Sequence, residues 1–254
     1  MVLHPAAAAG FGGSADDYAR FRPSYPAAAL VHLGEVLGLI PGRTVVDLAA
    51  GTGKLTAGLV ASGATVVAVE PVAAMRAELL GAAPGAYPRG GLAEALPLRR
   101  ASVDAVTVAQ AFHWFDGPAV LAELHRVLRA GGRLAVVYNQ RDRSVPWIAA
   151  ADAVIAPYRA AAPDQSDGRW RDAFAATPWF TTLGDWTAAN PQRLTPAGVV
   201  ARYRSISYVG ALGGDLRAEV LAGVADVLAT HPDTAGRTEI EVPQVCTVSL
   251  SHRR

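Results

Sequence analysis

The chain has 254 residues, 51% of them hydrophobic, with 23 Lys plus Arg against 22 Asp plus Glu and one cysteine. That length holds one α/β domain with a sizeable core, or such a domain with a cap. Near-neutral charge gives no electrostatic ground for nucleic acid or an anionic membrane as an obligatory partner, and the lone Cys246 excludes an internal disulfide framework and a cysteine metal site. The first residues, Met1-Val2-Leu3-His4-Pro5 and then alanines, lack the basic start and long apolar core of a signal peptide. No apolar run is long enough to span a bilayer, so the expected place is the cytoplasm.

Residues 1–14 are small and glycine-rich and read as a flexible start. Asp16 to Phe21 opens a short helix that breaks at Pro23 and Pro26. Ala27 to Gly38 has Leu30, Val31, Leu33, Val36 and Leu37 at helical spacing, and Pro41-Gly42 then makes a turn. Strands are expected near 44–48, 65–70, 103–109 and 133–138, with helices near 53–62, 73–81 and 117–129. A further strand near Gly85 to Arg89 is weak on pattern alone. The strand runs are apolar without alternation, which means burial on both faces and a parallel sheet. After Asn139 the pattern changes. Residues 146–210 carry Trp147, Trp170, Trp179 and Trp186 with several prolines, and read as late strands mixed with a cap. Asp215 to Thr230 is an amphipathic helix, and Ile240 to Leu250 reads as a final edge strand. The expected fold is α/β: a Rossmann-like, seven-stranded, mostly parallel, doubly wound sheet with one antiparallel edge strand. Residues 15–254 form the single domain, with cap and substrate elements in 15–30 and about 140–230.

The most informative stretch is Thr44-Val45-Val46-Asp47-Leu48-Ala49-Ala50-Gly51-Thr52-Gly53-Lys54, with Ala64-Thr65-Val66-Val67-Ala68-Val69-Glu70 beyond it. A buried strand, a glycine turn, a helix and a second strand ending in an acid make the first half of a nucleoside-binding unit. Small residues at Ala49, Gly51 and Gly53 let the backbone approach a flat, bulky ligand. Glu70 follows at the distance where an acid accepts hydrogen bonds from both ribose hydroxyls. No Gly-Lys-Ser/Thr closes the loop, so it is not a Walker A loop, and it is not the dinucleotide G-x-G-x-x-G either.

These residues resemble the first motif of the class I S-adenosylmethionine-dependent methyltransferases, an acid followed by G-x-G-x-G, with Ala49 in place of the first glycine. Later motifs of the same group follow in order: Ala93-Glu94-Ala95-Leu96-Pro97-Leu98, Ser102 to Val106, Gln110-Ala111-Phe112-His113-Trp114-Phe115-Asp116, and Leu124 to Leu134. Asn139-Gln140-Arg141-Asp142, Val145-Pro146-Trp147 and Ser205-Ile206-Ser207-Tyr208 resemble a branch of the type 11 methyltransferases similar to trans-aconitate methyltransferases. That branch usually carries Pro-Tyr-Arg in the last strand, where this chain has Pro243-Gln244-Val245-Cys246.

The resemblance implies S-adenosylmethionine as cofactor and no metal. It places Glu70 and the neighbouring Pro71 at the ribose, Met75 with Leu92 around the adenine, and the Ala93 backbone N–H on an adenine nitrogen. Asp47 either meets the methionyl amine or caps the glycine turn, and both uses are compatible. The start of the helix after Gly53 would receive the methionyl carboxylate, helped by Tyr18 and Arg22; the plain alternatives are a packing tyrosine and a solvated arginine.

The chemistry is expected at Gln110 to Phe115 and Asn139, beside the sulfonium. Phe112, Trp114 and Phe115 offer aromatic faces, a cation–π attraction worth roughly 0.5–2 kcal/mol. His113 has three readings: a general base for a hydroxyl or amine, a donor to a carboxylate together with Trp114, or a histidine satisfied beside core aromatics. Asn139, Ser205 and Tyr208 are expected on the substrate side. The expected activity is methylation of a carboxylate or hydroxyl oxygen on a small molecule, by a monomer or homodimer, with bacterial secondary metabolism as one setting. The alternatives are an intramolecular cyclisation that consumes S-adenosylmethionine and releases methylthioadenosine, and a catalytically silent cofactor-binding module.

Overall fold

The apolar runs of the first half become strands that bury both faces. β1 (Thr44–Leu48) is buried at its last four positions, and β4 (Val103–Ala109) at all but its last. The computed structural model describes residues 21–159, 163 and 165–254. The expected loose start at 1–14, nearly all of the helix beginning at Asp16, and Tyr18 lie outside the described residues.

Seven strands form the main sheet in the order β3-β2-β1-β4-β5-β9-β6, mostly parallel with an antiparallel edge. β2 (Thr65–Val69) runs parallel to β1, pairing Thr44 with Thr65 and Leu48 with Val69. β4 runs parallel on its other side, so that Asp47 lies opposite Thr107. β3 (Tyr87–Arg89) pairs parallel with β2. The weak pattern near Gly85 to Arg89 therefore marks a real, short strand.

Helices cross between these strands. α1 (Ala27–Leu37) stops at Gly38, whose φ of 64° lets its N–H reach back to Glu35 and Gly34. α2 (Lys54–Val60) and α3 (Ala73–Ala82) follow β1 and β2. α4 (Gly117–Val127) is capped by Asp116, which accepts from the Ala119 N–H at 3.2 Å. It ends two residues before its expected limit, because β5 (Leu128–Arg141) begins at once. Val103 pairs with Leu128, but Ala105 pairs with Arg133. The extra residues include Gly131 at φ 71°, a backbone that glycine supplies without strain.

The last strand differs from expectation. Pro243 has no N–H to give a ladder and divides the segment. β8 (Ile240–Val242) pairs antiparallel with β7 (Gln192–Leu194) in a separate two-stranded sheet. β9 (Gln244–His252) joins the main sheet between β5 and β6 (Gly184–Ala189), so it is an interior strand and β6 is the edge.

The chain divides into two compact units. The sheet unit contains Ser24–Asn139, Pro163–Ala188 and Cys246–Arg254. Its two sheet faces bury separate clusters: Val46 and Leu48 pack with Phe112, Leu121 and Tyr138, while Val45 packs with Leu33, Leu59 and Val137. Of the described residues, the second unit takes 21–23, 140–159 and 189–245. Within the expected cap range of about 140–230, the described residues of 163–188 group with the sheet unit. The second unit holds α5 (Pro146–Ile155), α7 (Pro196–Arg204), α8 (Ser207–Gly210) and α9 (Gly214–Thr230); a short helix α6 (Asp172–Ala175) belongs to the sheet unit. α9 buries Val220, Val224 and Leu228, four residues apart on one face. Among the described residues no helix is long and apolar enough to cross a membrane.

Asp104, at the start of β4, fixes the base of the sheet. It accepts from the Thr44 N–H at 2.8 Å, Arg43 at 2.8 Å and Arg129 at 2.6 Å. Burial alone would raise its pKa, but the Thr44 N–H and the two arginines outweigh it and hold the carboxyl below its ordinary value. The stabilisation is therefore present above the unfolded-state pKa and is lost as pH falls through the folded one. Asp104→Asn is expected to cost about 1–2 kcal/mol at neutral pH, since both arginines are half exposed. Urea melts should show the gap to wild type closing on acidification; a pH-independent gap would refute the assignment.

Candidate active site

The ends of β1 and β2 carry two buried acids. Glu70 is 4% exposed, and each of its oxygens is held by a backbone N–H: Oε2 by Gly51 at 3.0 Å, Oε1 by Val72 at 2.9 Å. Arg76, one turn into α3, donates to the carbonyls of Glu70 at 2.7 Å and Pro71 at 2.8 Å. Burial pushes the Glu70 pKa up, against the Val72 and Gly51 N–H groups and the Arg76 charge. Two N–H bonds leave a carboxylate with further lone pairs for hydroxyl donors.

Asp47 is 1% exposed. Its oxygens accept from the Thr56 hydroxyl at 2.6 Å and the Thr107 hydroxyl at 2.9 Å. Burial nevertheless raises its pKa to about 6, and Glu70 adds to the rise. The acid thus bonds to α2 and β4, and neither of these hydroxyls belongs to the glycine turn.

The small residues between these acids have different uses. Ala49 has φ 54° and Gly51 has φ 57°, both left-handed. A Cβ built on Gly51 meets no described atom within 4 Å, so the space in front of it is open to a ligand. At Gly53, φ 85°, a Cβ would come within 3.3 Å of the Leu79 Cα, so bareness there seats α3 against the turn. Ala49 takes a conformation that costs an L-residue about 1–2 kcal/mol and that glycine adopts freely. Met75 is 3% exposed on α3, and Ala93 is buried in the cluster that includes Leu48 and Val69.

The ends of β4 and β5 bring a second group together. Gln110 has φ 57°, an unusual backbone for a side chain of its length. Its Nε2 donates to the Asn139 carbonyl at 3.2 Å. Asn139 is 6% exposed and its Nδ2 donates to the Ser24 carbonyl at 3.3 Å. His113 lies in a turn of 3-10 helix over Phe112–Trp114, with its ring centroid 5.0 Å from that of Trp114. The Tyr138 hydroxyl accepts from the His113 backbone N–H at 3.1 Å and lies 3.1 Å from His113 Nδ1. Tyr138 is 2% exposed, and burial raises its pKa well above the ordinary tyrosine value.

One expectation is corrected. Phe112 is 1% exposed and packs on Phe115, Trp170 and Phe174, so it is a core residue and offers no face to a sulfonium. Ser205, Arg22 and Tyr208 belong to the second unit. Ser205 is 2% exposed; its hydroxyl donates to the Arg202 carbonyl at 2.6 Å and accepts from Arg22 Nε at 3.0 Å, and Arg22 also reaches the Ser205 carbonyl at 3.1 Å. The two residues are engaged with each other there. Tyr208 lies under the Arg159 guanidinium at 6.0 Å.

Thr56, Thr107, Arg76 and Tyr138 were not among the residues singled out from the sequence. Thr107 is identifiable only once the register sets it opposite Asp47.

The methyltransferase domain family matches residues 46–136, the span from β1 to β5. An uncharacterised methyltransferase of Mycobacterium tuberculosis (strain ATCC 25618 / H37Rv) is 38% identical over 235 residues, covering 92% of this chain and 92% of its own. The chain belongs to the class I S-adenosylmethionine-dependent methyltransferases. A methyltransferase-like protein of Schizosaccharomyces pombe is 30% identical over 89% of this methyltransferase and 88% of its own length. A solved structure from Anaeromyxobacter dehalogenans, named as a candidate type II methyltransferase, superposes with a TM-score of 0.57 at 27% identity, covering 92% and 97% of the two chains. The family implies S-adenosylmethionine as methyl donor, and the open space before Gly51 together with the fixed, buried Glu70 fits a nucleoside there.

Two outcomes follow. Asp47→Asn removes a buried charge whose carboxyl titrates near pH 6. Because this acid's pKa is raised on folding, the penalty is absent below the unfolded value and complete above the folded one. The variant is expected to be more stable than wild type by about 1–3 kcal/mol above pH 7, with the difference fading below pH 4 in chemical denaturation; an equal gap at all pH values would contradict it. Glu70→Ala is expected to weaken S-adenosylmethionine binding by about 1–3 kcal/mol. Calorimetry showing wild-type affinity in a folded variant would remove Glu70 from the site.

Proposed function

We propose that this methyltransferase transfers the methyl group of S-adenosylmethionine to an oxygen of a small molecule, and that the oxygen belongs to a carboxylate. One observation carries the choice. The buried Tyr138 hydroxyl already accepts the His113 backbone N–H, and among the described residues the ring nitrogen within reach to take its own proton is His113 Nδ1. A buried hydroxyl uses its proton. In this reading Tyr138 donates to Nδ1, and His113 carries its proton on Nε2. That form donates a hydrogen bond and takes no proton, which suits an acceptor that arrives already charged. A hydroxyl acceptor is the second reading, and it requires the opposite tautomer. The resemblance to the trans-aconitate-type branch also favours a carboxylic acid. Near-neutral charge suits a small molecule in place of nucleic acid.

Bound S-adenosylmethionine supplies a methyl group already activated on a sulfonium. The chain's task is alignment and exclusion of water. In this reading Glu70 receives the ribose hydroxyls, and Gly51 admits the nucleoside to the backbone. Asp47 orients the methionyl amine, and Met75 and Ala93 hold the adenine. Gln110 and Asn139 fix the strand ends beside the reacting group, and His113 and Trp114 donate to the acceptor carboxylate. The family assignment sets methyl transfer ahead of cyclisation and of a silent module.

The test is incubation of pure protein with S-adenosylmethionine, alone and with panels of carboxylic acids and phenols, followed by mass spectrometry. S-adenosylhomocysteine and a methyl ester are expected only with a carboxylic acid present; methylthioadenosine without acceptor would overturn methyl transfer. On the true acceptor, His113→Ala should raise KM by about ten- to a hundredfold, the loss of one hydrogen bond to a charged group. If His113 is a base, kcat falls and the neutral limb of the pH profile disappears in the variant.

A further inference from the structure

In the second unit Arg202 is 4% exposed. Its Nη1 donates to Gln192 Oε1 at 3.0 Å and its Nη2 to Gln244 Oε1 at 2.5 Å, while Nε has no partner. Both acceptors are neutral amides, and no carboxylate among the described residues bonds to this guanidinium. Gln244 is 3% exposed, and with its oxygen turned to Arg202, its Nε2 is left without an acceptor.

Two more guanidinium groups, Arg141 and Arg22, stand close enough to repel Arg202. Arg141 meets Asp152 at 2.7 Å and lies over the Tyr203 ring at 4.7 Å, and its Nε also lacks a partner. Asp152 is shared further: it takes Arg143 at 2.9 Å and the Tyr203 hydroxyl at 2.9 Å. Asp152 therefore faces more than one positive charge and cannot neutralise the group.

Among the described residues, the unpartnered buried side-chain atoms are all of one kind. Arg141 Nε, Arg202 Nε and Gln244 Nε2 are donors. An arginine does not shed its proton inside a protein, and a buried charge is ordinarily paired. The missing partner is thus an acceptor, and because among the described residues Arg141 and Arg202 share the one carboxylate of Asp152, an anion suits the place. Planar guanidinium forks match the oxygens of carboxylate and phosphate groups.

We propose that Arg141, Arg202 and Gln244 form a binding site, within the second unit, for the oxyanion of a small molecule, a carboxylate or a phosphate. This rests on the charge and hydrogen-bond balance of the cluster and not on the acceptor reading above.

The test uses thermal melts of the full chain at constant ionic strength, titrated in the low-millimolar range with phosphate, with citrate, and with chloride as control. A ligand that binds the folded state raises Tm saturably. A saturable rise with phosphate, citrate or both, absent with chloride, is the expected result, and the two arms assign the oxyanion class. Arg202→Met should abolish that rise while melting no lower than wild type without anion, because an uncompensated buried charge has gone. No saturable rise with either anion would mean that water alone satisfies these donors, and would overturn the proposal. So would an undiminished rise in Arg202→Met. Should that variant not fold, Gln244→Leu takes its place: a several-fold weaker apparent Kd is expected, and wild-type affinity refutes the site.

Discussion

The carboxylate of Glu70 ties together the turns that leave β1 and β2. One oxygen holds the Gly51 N–H and the other the Val72 N–H, so adjacent strand ends are fixed by a single side chain. Everything proposed for the nucleoside depends on that fixation. The left-handed backbone at Ala49, Gly51 and Gly53 is sterically permitted but not self-supporting, and the bond to Gly51 anchors its middle. Arg76 braces the same corner through the Glu70 and Pro71 carbonyls. An alanine at position 70 would leave the Gly51 and Val72 N–H groups without this acceptor as well as removing the proposed ribose contact.

The molecule tolerates several costly groups, and they are not scattered. Asp47 and Glu70 are acids that burial drives toward neutrality. Ala49 and Gln110 hold a backbone more natural to glycine. All four lie at strand ends on the carboxyl side of the parallel sheet, where open α/β sheets bind ligands. Strain and unfavourable charge at one edge of an otherwise well-buried core are what a site selected for binding shows, since a sequence selected only for stability would replace them.

How much of this was legible in the sequence varies with the kind of interaction. The strands around Val45, Val66 and Val106 follow from apolar runs, and α9 from the spacing of Val220, Val224 and Leu228. The Asp47-to-Gly53 turn and Glu70 follow from local spacing, because strand, turn and acid are close in the chain. What joins distant segments was not legible. Thr107 is an ordinary strand residue until the register sets it against Asp47, and Tyr138 passed as part of an apolar run although its hydroxyl reaches His113. Phe112 read as an aromatic face because its sequence neighbours are site residues, but the 3-10 turn points it into the core. Gln244 stood out only as a departure from the Pro-Tyr-Arg run of the branch; its meaning, an amide against Arg202, needed that distant arginine brought beside it.

The strand order has a consequence for how the chain is made. β6 has one hydrogen-bonded neighbour in the main sheet, β9, which comes far later in the chain. Between them the chain leaves the sheet unit after Ala188, builds β7, α7, α8, α9 and β8, and returns at Cys246. During synthesis β1 to β5 can assemble as they emerge, but β6 must wait as an unpaired strand until β9 has been translated. The sheet is thus completed in two instalments, and for that interval both β5 and β6 present bare edges that only the last segment of the fold can cover.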